Sequence, residues 1–408
     1  MRLPTSKGMV NLKLHKSKID DEIYYYLLKN GEKRFMYRHK YNDARGKRKE
    51  KKKSSFLTDK AALKALIEVK ATLLRGQVKQ VEHSQMTVSQ WLDIWYETYN
   101  SSWEITTRLQ RKNAIELQMK PLLGKYKLIS LDKTTYIREY INVLKQKYAD
   151  STVALFHRLF KIAINAAVED EIIPRNRFRK VSVEIDDELE NVLTASELDL
   201  FLEAAQEHEN ITNYTLILLL AFTGVRKGEA LGLRWKHIDF ENKTLTVDWT
   251  RDRHGCRPPK TKNSYRMIPI DKLLVDQLLA YQRWCVEKKF SFGLKVDKKN
   301  DLIFISYQDG VPIAENMPHY SFNRVHKVLT DQKTPVNKIS PHGLRHTHAT
   351  ILINQGIPVK TIAKRLGNTV AVILKVYSHS FKEYELMAVS AFGSTLTFGA
   401  SGATSGAN

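Results

Sequence analysis

Cysteine is close to absent: Cys256 and Cys285 are the two in 408 residues. That excludes a disulfide framework and a cysteine-rich zinc site. Long apolar runs are missing too. No stretch approaches the roughly 18 uninterrupted apolar residues that a membrane span needs. Met1-Arg2-Leu3-Pro4-Thr5-Ser6-Lys7 lacks the apolar core of a secretory signal. No internal repeat is present. The expectation is a soluble cytoplasmic protein of two to four domains, with 42% hydrophobic residues to fill their cores.

Acidic residues are scarce relative to basic ones, 44 against 66, a formal net charge of +22. Residues 1–85 alone hold 22 Lys/Arg and 9 Asp/Glu, or +13 of that excess. A surplus of this size favours a polyanion, because neutralised phosphates release condensed counterions. A solvated basic face and a ribosomal partner are the blander readings.

Organisation follows from periodicity. Ile23 to Leu28 and Arg34 to Tyr41 are β-branched and aromatic runs separated by the turn Lys29-Asn30-Gly31-Glu32. Asn42 to Lys53 reads as a basic turn with seven Lys or Arg, followed by a short run at Ser55-Phe56-Leu57. Thr58 or Asp59 caps a helix that ends at Gly76. Residues 1–76 therefore predict three strands and one helix, with Arg34, Arg38, Lys40, Arg45, Lys47, Arg48 and Lys49 as DNA-contacting candidates. A polar linker (76–85) leads to an all-α region over 86–175. There Thr87 caps a helix, and further helical patterns cover about 104–120, 131–147 and 150–170. Arg108, Arg111, Lys112, Arg158 and Lys161 lie on their polar faces. Residues 190–386 predict a mainly α domain with a small sheet from Thr244–Trp249 and Ser264–Ile270. Thr194 and Glu197 have capping-box spacing at its first helix. Residues 387–408 form an uncharged tail. The fold class is multidomain α+β.

Four segments carry chemistry: Thr223-Gly224-Val225-Arg226-Lys227-Gly228-Glu229, Pro259-Lys260-Thr261-Lys262, His342-Gly343-Leu344-Arg345-His346 and Tyr377-Ser378-His379. Attack on a phosphodiester builds negative charge on non-bridging oxygens, which two guanidiniums can grip with forked hydrogen bonds. An acid must protonate the leaving oxygen and a base must relieve the nucleophile of its proton. A nucleophile that stays attached conserves the bond for rejoining. Arg226, Arg345, Lys260, His342 and Tyr377 supply those five functions with no metal or other cofactor. Singly each has a plainer reading. Arg226 suits a surface ion pair, Tyr377 a packing residue, and His342, His346 and His348 a metal pair or HxH, though no further ligand lies at a familiar spacing.

Their order and spacing resemble the tyrosine recombinase family, especially lambda-type phage and conjugative-element integrases. The matching stretches are TGVRKGEALGLRW at 223–235, PKTKNSYRMIPI at 259–270, HGLRHTHATIL at 342–352 and RLGNTVAVILKVYSH at 365–379. The resemblance implies that Arg226 and Arg345 bind phosphate, Lys260 is the general acid and His342 belongs to the H-x-x-R box. It makes Tyr377 the nucleophile of a 3′-phosphotyrosyl link, with Glu229 orienting the site. It implies an arm-type DNA-binding module, a core-binding (SAM-like) domain and a tetramer acting on core and arm attachment sites. An excisionase and a host DNA-bending protein are possible partners. One departure stands out: Asn368 occupies the place, nine residues before Tyr377, where most of the family has His or Trp. An amide can donate to a phosphate oxygen but cannot exchange protons near neutral pH. His379, two residues past Tyr377, is an imperfect substitute. A dimer resolvase of the same family and a catalytically silent DNA-binding regulator are the alternatives.

Overall fold

The structure, a computed structural model, describes residues 13–43, 45–185, 191–259, 261–334 and 336–377. The chain forms two compact units, Met1–Asp187 and Glu188–Asn408.

The first unit opens with an antiparallel sheet in the order β1 (His15–Lys16), β2 (Ile23–Leu27), β3 (Lys33–Asn42), β4 (Arg48–Phe56). The stretch read as a basic turn is thus mostly strand, and the turn shrinks to residues 43–47. Five like charges in β4 did not prevent pairing, because β3 supplies a full ladder of partners from Tyr37↔Lys53 to Asn42↔Arg48. The expected three strands gain a two-residue fourth, β1. Helix α1 (Asp59–Leu74), capped by the Thr58 side chain, covers one face; Ile23, Tyr37, Ala62 and Leu66 form its core.

Strand alternation then sorts the basic residues. Tyr37, His39 and Tyr41 share the helix-side face with their partners Lys53, Lys51 and Lys49. Arg38, Lys40, Arg48 and Lys52 take the opposite, open face. The polar linker contains a further helix, α2 (Val78–Glu82), which engages the helix-side lysines. Lys49 pairs with Glu82 at 2.7 Å, and Lys51 donates to the Val81 carbonyl.

The helical bundle follows as α3 (Val88–Tyr99), α4 (Ile105–Ala114), α5 (Lys120–Leu123), α6 (Lys133–Tyr136), α7 (Asn142–Lys145) and α8 (Asp150–Glu169). A five-residue π-helical turn joins α4 to α5, and another joins α6 to α7. Thr87 and Gln90 form a reciprocal capping box at α3. Trp91 on α3 donates its indole N–H to the Ala163 carbonyl on α8 at 2.8 Å. The core is aromatic, with the Tyr136 ring 5.1 Å from Phe160 and 4.4 Å from Phe178. The Tyr136 hydroxyl lies 2.8 Å from His157 Nδ1, and His157 Nε2 reaches the Val181 carbonyl at 2.9 Å.

The second unit comprises α9 (Ala195–His208), α10 (Ile211–Thr223), α11 (Lys227–Gly232), β5 (Ile238–Asp239), β6 (Thr244–Val247), β7 (Thr250–Asp252), β8 (Gly255–Arg257) and β9 (Arg266–Pro269). It continues with α12 (Lys272–Ser291), α13 (Met317–Asp331), α14 (Pro341–Asn354), α15 (Val359–Leu366) and α16 (Val370–Val376). Thr194 and Glu197 form the expected capping box at α9. Helix α10 is apolar nearly all round and runs through the middle, packed by α9, α12, α13 and α14. β5, β6 and β9 form one sheet, and β7 with β8 makes a hairpin between β6 and β9. The helix expected over 370–386 is described as far as Val376, and the rest of it, with the 387–408 tail, lies outside the described residues.

Phe160 is fully buried and touches three aromatic rings, so its loss leaves a cavity that rigid neighbours cannot close. Phe160→Ala is expected to cost the first unit about 3–5 kcal/mol, read as a lowered urea midpoint of that unit's transition.

Candidate active site

Helix α10 stops at Gly224, whose φ of +64° suits glycine. A Cβ there would lie 2.6 Å from Leu366 Cδ2. Two residues on, Arg226 begins α11. Helix α15 stops in the same way at Gly367, with φ +65°, and a Cβ there would meet the Asn263 carbonyl oxygen at 2.8 Å. These two stops turn the carbonyls of Gly224 and Leu366 toward one point. There the buried Arg345 of α14 donates Nη1 to Gly224 at 2.8 Å and Nη2 to Leu366 at 2.7 Å. The carbonyl ends of two helices carry partial negative charge, which suits a guanidinium. Of Arg345's five N–H groups, the rest remain for another acceptor. Burial, then the charge of Arg226, pulls this guanidinium down to about 9, still protonated at neutral pH and favouring a nearby anion.

Arg226 is gripped from two sides. Its Nη1 donates to Glu229 Oε1 at 2.9 Å and its Nη2 to Asn368 Oδ1 at 2.8 Å. Glu229 is itself buried, and its second oxygen accepts from Arg266 Nη2 at 2.8 Å and from the Arg226 backbone N–H. Burial raises the Glu229 carboxyl, but the hydrogen bond and charge of Arg266, then Arg226, outweigh it and hold the pKa below its ordinary 4.5. The side chain of Arg266 is 3% exposed and that of Arg226 38%, so Arg226 is the one that meets solvent. Three guanidiniums around one carboxylate leave a net positive site.

Arg266 was not among the candidates drawn from the sequence. A signal was present: on β9 it shares parity with buried Ile268, while Met267 and Pro269 point out. A charged residue in phase with core positions requires a buried partner, here Glu229. Arg365 is a second such staple, reaching His348 Nε2 at 2.9 Å and the Phe222 carbonyl at 2.8 Å.

His342 opens onto the surface one turn before Arg345. The protein around it, then the charges of His346, Arg345 and Arg226, lowers its imidazole to about 4, so it is neutral until an anion arrives. Its ring meets His346 edge-on at 4.7 Å. Tyr377 is the C-cap of α16 and is buried in a cluster that includes Leu366 and Ile373. Its hydroxyl lies 3.0 Å from Nδ1 of His346. Burial pushes this phenol up to about 12, against the opposing pull of Arg345. Arg226 thus meets Asn368, and the charge of Arg345 reaches Arg226, His342 and Tyr377. Lys260 and His379 lie outside the described residues. Among the described residues no cluster of three or more His, Cys, Asp or Glu is placed to hold a metal ion.

The basic residues read as lying on the polar faces of the bundle's helices divide into two groups. Arg108 donates to the Asn100 and Trp103 carbonyls, and the Arg111 guanidinium lies 4.0 Å from the Trp103 ring centroid. Both are engaged in holding the turn after α3. Lys112 and Arg158 are exposed, and Lys161 is half-buried.

Comparison with known proteins agrees with this geometry. Residues 191–384 match the model of the phage integrase family, residues 23–73 an arm DNA-binding domain, and residues 87–145 the N-terminal SAM-like domain of phage integrases. A tyrosine recombinase XerC-like protein of Caldanaerobacter subterraneus is 30% identical over 287 residues, covering 64% of this chain and 71% of that one. The chain belongs to the tyrosine recombinase family. The integrase of Staphylococcus phage L54a is another relative of this recombinase, 27% identical over 329 residues, or 73% of this chain and 90% of that one. Among solved structures, the fold is similar to that of the Tn1549 transposon integrase in complex with transposon right end DNA. The TM-score is 0.63 at 23% identity, over 74% of this chain and all of that one. A lambda integrase dimer bound to a core site shares the fold at TM-score 0.52 and 17% identity, over 88% and 96% of the chains.

Replacing Glu229 by Gln keeps the shape and removes the charge that both arginines need. Because the folded pKa is depressed, the stabilisation is complete above the unfolded value of 4.5 and lost as pH falls through the folded one. Glu229→Gln is therefore expected to cost about 3 kcal/mol near pH 7, with the gap from the native chain closing below pH 4.5. Urea melts of both proteins between pH 3 and 7 check this.

Proposed function

We propose that this recombinase cleaves and rejoins DNA at the attachment sites of a phage or other mobile element, through a 3′-phosphotyrosyl bond to Tyr377. One observation carries the reading: the buried Tyr377 phenol lies within reach of the charge of Arg345, which also feels Arg226, and among the described residues the N–H groups of these two arginines outnumber their acceptors. A scissile phosphate laid across Arg226 and the open side of Arg345 would complete their hydrogen bonding. His342 would add a donor from the surface. Asn368 already accepts from Arg226 through Oδ1, which turns its Nδ2 away as a donor for phosphate. Lys260 is assigned to protonate the leaving 5′-oxygen, and Glu229 to hold Arg226 in place.

In this reading residues 1–76 bind arm sites, while 86–175 and 190–386 clamp the core site. The enzyme works as a tetramer on two duplexes, with an excisionase and a DNA-bending protein as candidate partners. It acts in the cytoplasm; no helix among the described residues is long and apolar enough to cross a membrane. The open sheet face, with Arg34, Arg38, Lys40 and Arg48, is the arm-contacting surface. Lys49 is committed to Glu82 and Asp43 and contributes less.

Two measurements test this. On a nicked suicide substrate the native chain should form an SDS-resistant DNA adduct in excess EDTA, and Tyr377→Phe should bind the same DNA yet form none. A metal requirement for cleavage, or adducts from the Phe variant, would sink the mechanism. Separately, Lys40→Ala with Arg48→Ala should shallow the log K versus log salt slope for arm-site DNA by about two units. Lys49→Ala with Lys51→Ala should leave that slope nearly unchanged.

A further inference from the structure

His342 is the histidine that the H-x-x-R spacing selects, yet it makes no hydrogen bond to the nucleophile. Among the described residues the group bonded to the Tyr377 hydroxyl is His346, through Nδ1 at 3.0 Å. That distance is within reach for direct proton transfer. The two histidines lie one turn apart on α14 with rings edge-on, and they face different tasks. His342 is exposed and beside Arg345, where a phosphate would lie. His346 is half-buried against the phenol.

Resting on the recombinase reading above, we infer that His346 is a catalytic residue, the general base that takes the proton of Tyr377 as it attacks. The phenol needs such a partner. It is buried, and burial holds it far above neutral pH, so it does not ionise unaided. Backbone and side-chain acceptors other than His346 are lacking at its hydroxyl among the described residues. For Nδ1 to accept, the ring carries its proton on Nε2. In the forward step the Tyr377 oxygen bonds to phosphorus, the bond from phosphorus to the 5′-oxygen breaks, the phenolic proton passes to His346 Nδ1 and Lys260 protonates the 5′-oxygen. Rejoining reverses each transfer: the 5′-hydroxyl attacks, Lys260 recovers its proton, and His346 returns one to the departing phenolate. Nothing further is consumed. The assignment leaves His342 to bind phosphate and gives a chain with Asn368 a histidine on the nucleophile's side of the reaction.

The test uses the full chain with the nicked suicide substrate under single-turnover conditions. In His346→Asn the amide oxygen stands near the position of Nδ1, keeping a hydrogen bond but accepting no proton. DNA binding should be unchanged and adduct formation should fall about 100-fold. Introducing 3,5-difluorotyrosine at position 377 makes the phenol easier to ionise. It should restore the Asn variant at least about tenfold while changing the native chain little, which a merely structural role for His346 would not produce. If the Asn variant does not fold, His346→Gln takes its place. Adduct formation within about threefold of native, or no recovery with the fluorinated phenol in a variant that binds DNA normally, overturns the inference and leaves the recombinase reading standing. No adduct from the native chain overturns both.

Discussion

The site depends on burying the Arg345 guanidinium. A cation removed from water must be given acceptors, and the cost is large if any are missing. The chain meets that demand with backbone carbonyls of Gly224 and Leu366, from the ends of two different helices. Carbonyls cannot titrate or swing away, so Arg345 has one orientation. Both acceptors are available because α10 and α15 end on left-handed glycines. The positions of Gly224 and Gly367 are therefore as much a part of the site as the arginine. They also bring Arg226 and Asn368, each one or two residues beyond a stop, within 2.8 Å of each other.

Charge is balanced incompletely, and this is what a phosphate site requires. Glu229 answers Arg226 and Arg266 together, and among the described residues Arg345 forms no ion pair with a carboxylate. Filling the surplus with a second acid would stabilise the free protein and weaken its hold on DNA. The histidines follow the same logic. Burial, then the charges of His346, Arg345 and Arg226, keeps the His342 imidazole neutral near pH 7.

Outside the catalytic unit, the same residue types do other work according to where the fold leaves them. Arg108 and Arg111 are indistinguishable from DNA-contacting residues on a helical wheel, yet they bind a turn and an indole ring. In the sheet, neighbours in sequence separate by parity: Arg48 faces outward, while Lys49 reaches Glu82. A net charge of +22 thus states that a polyanion is favoured, without stating which cations meet it.

What could be read directly were features whose physics is local. The cap at Thr87, the capping box at Thr194 and the helix end at Gly76 all depend on residues within a turn or two of one another. The ordered motifs around Arg226, Arg345 and Tyr377 were legible because each has its own spacing. The Asn42–Lys53 stretch was misread because strand pairing with β3, not its own composition, decided its conformation. The contacts of Arg266 and His346 were not legible for a related reason: their partners are 37 and 31 residues away. The sequence by itself determined the family, the main helices of each region and the chemical groups on offer. Only the tertiary structure decided which arginines are buried, which lysines face outward and which histidine meets the tyrosine, because burial and hydrogen-bond partners are set by contacts between segments distant in the chain.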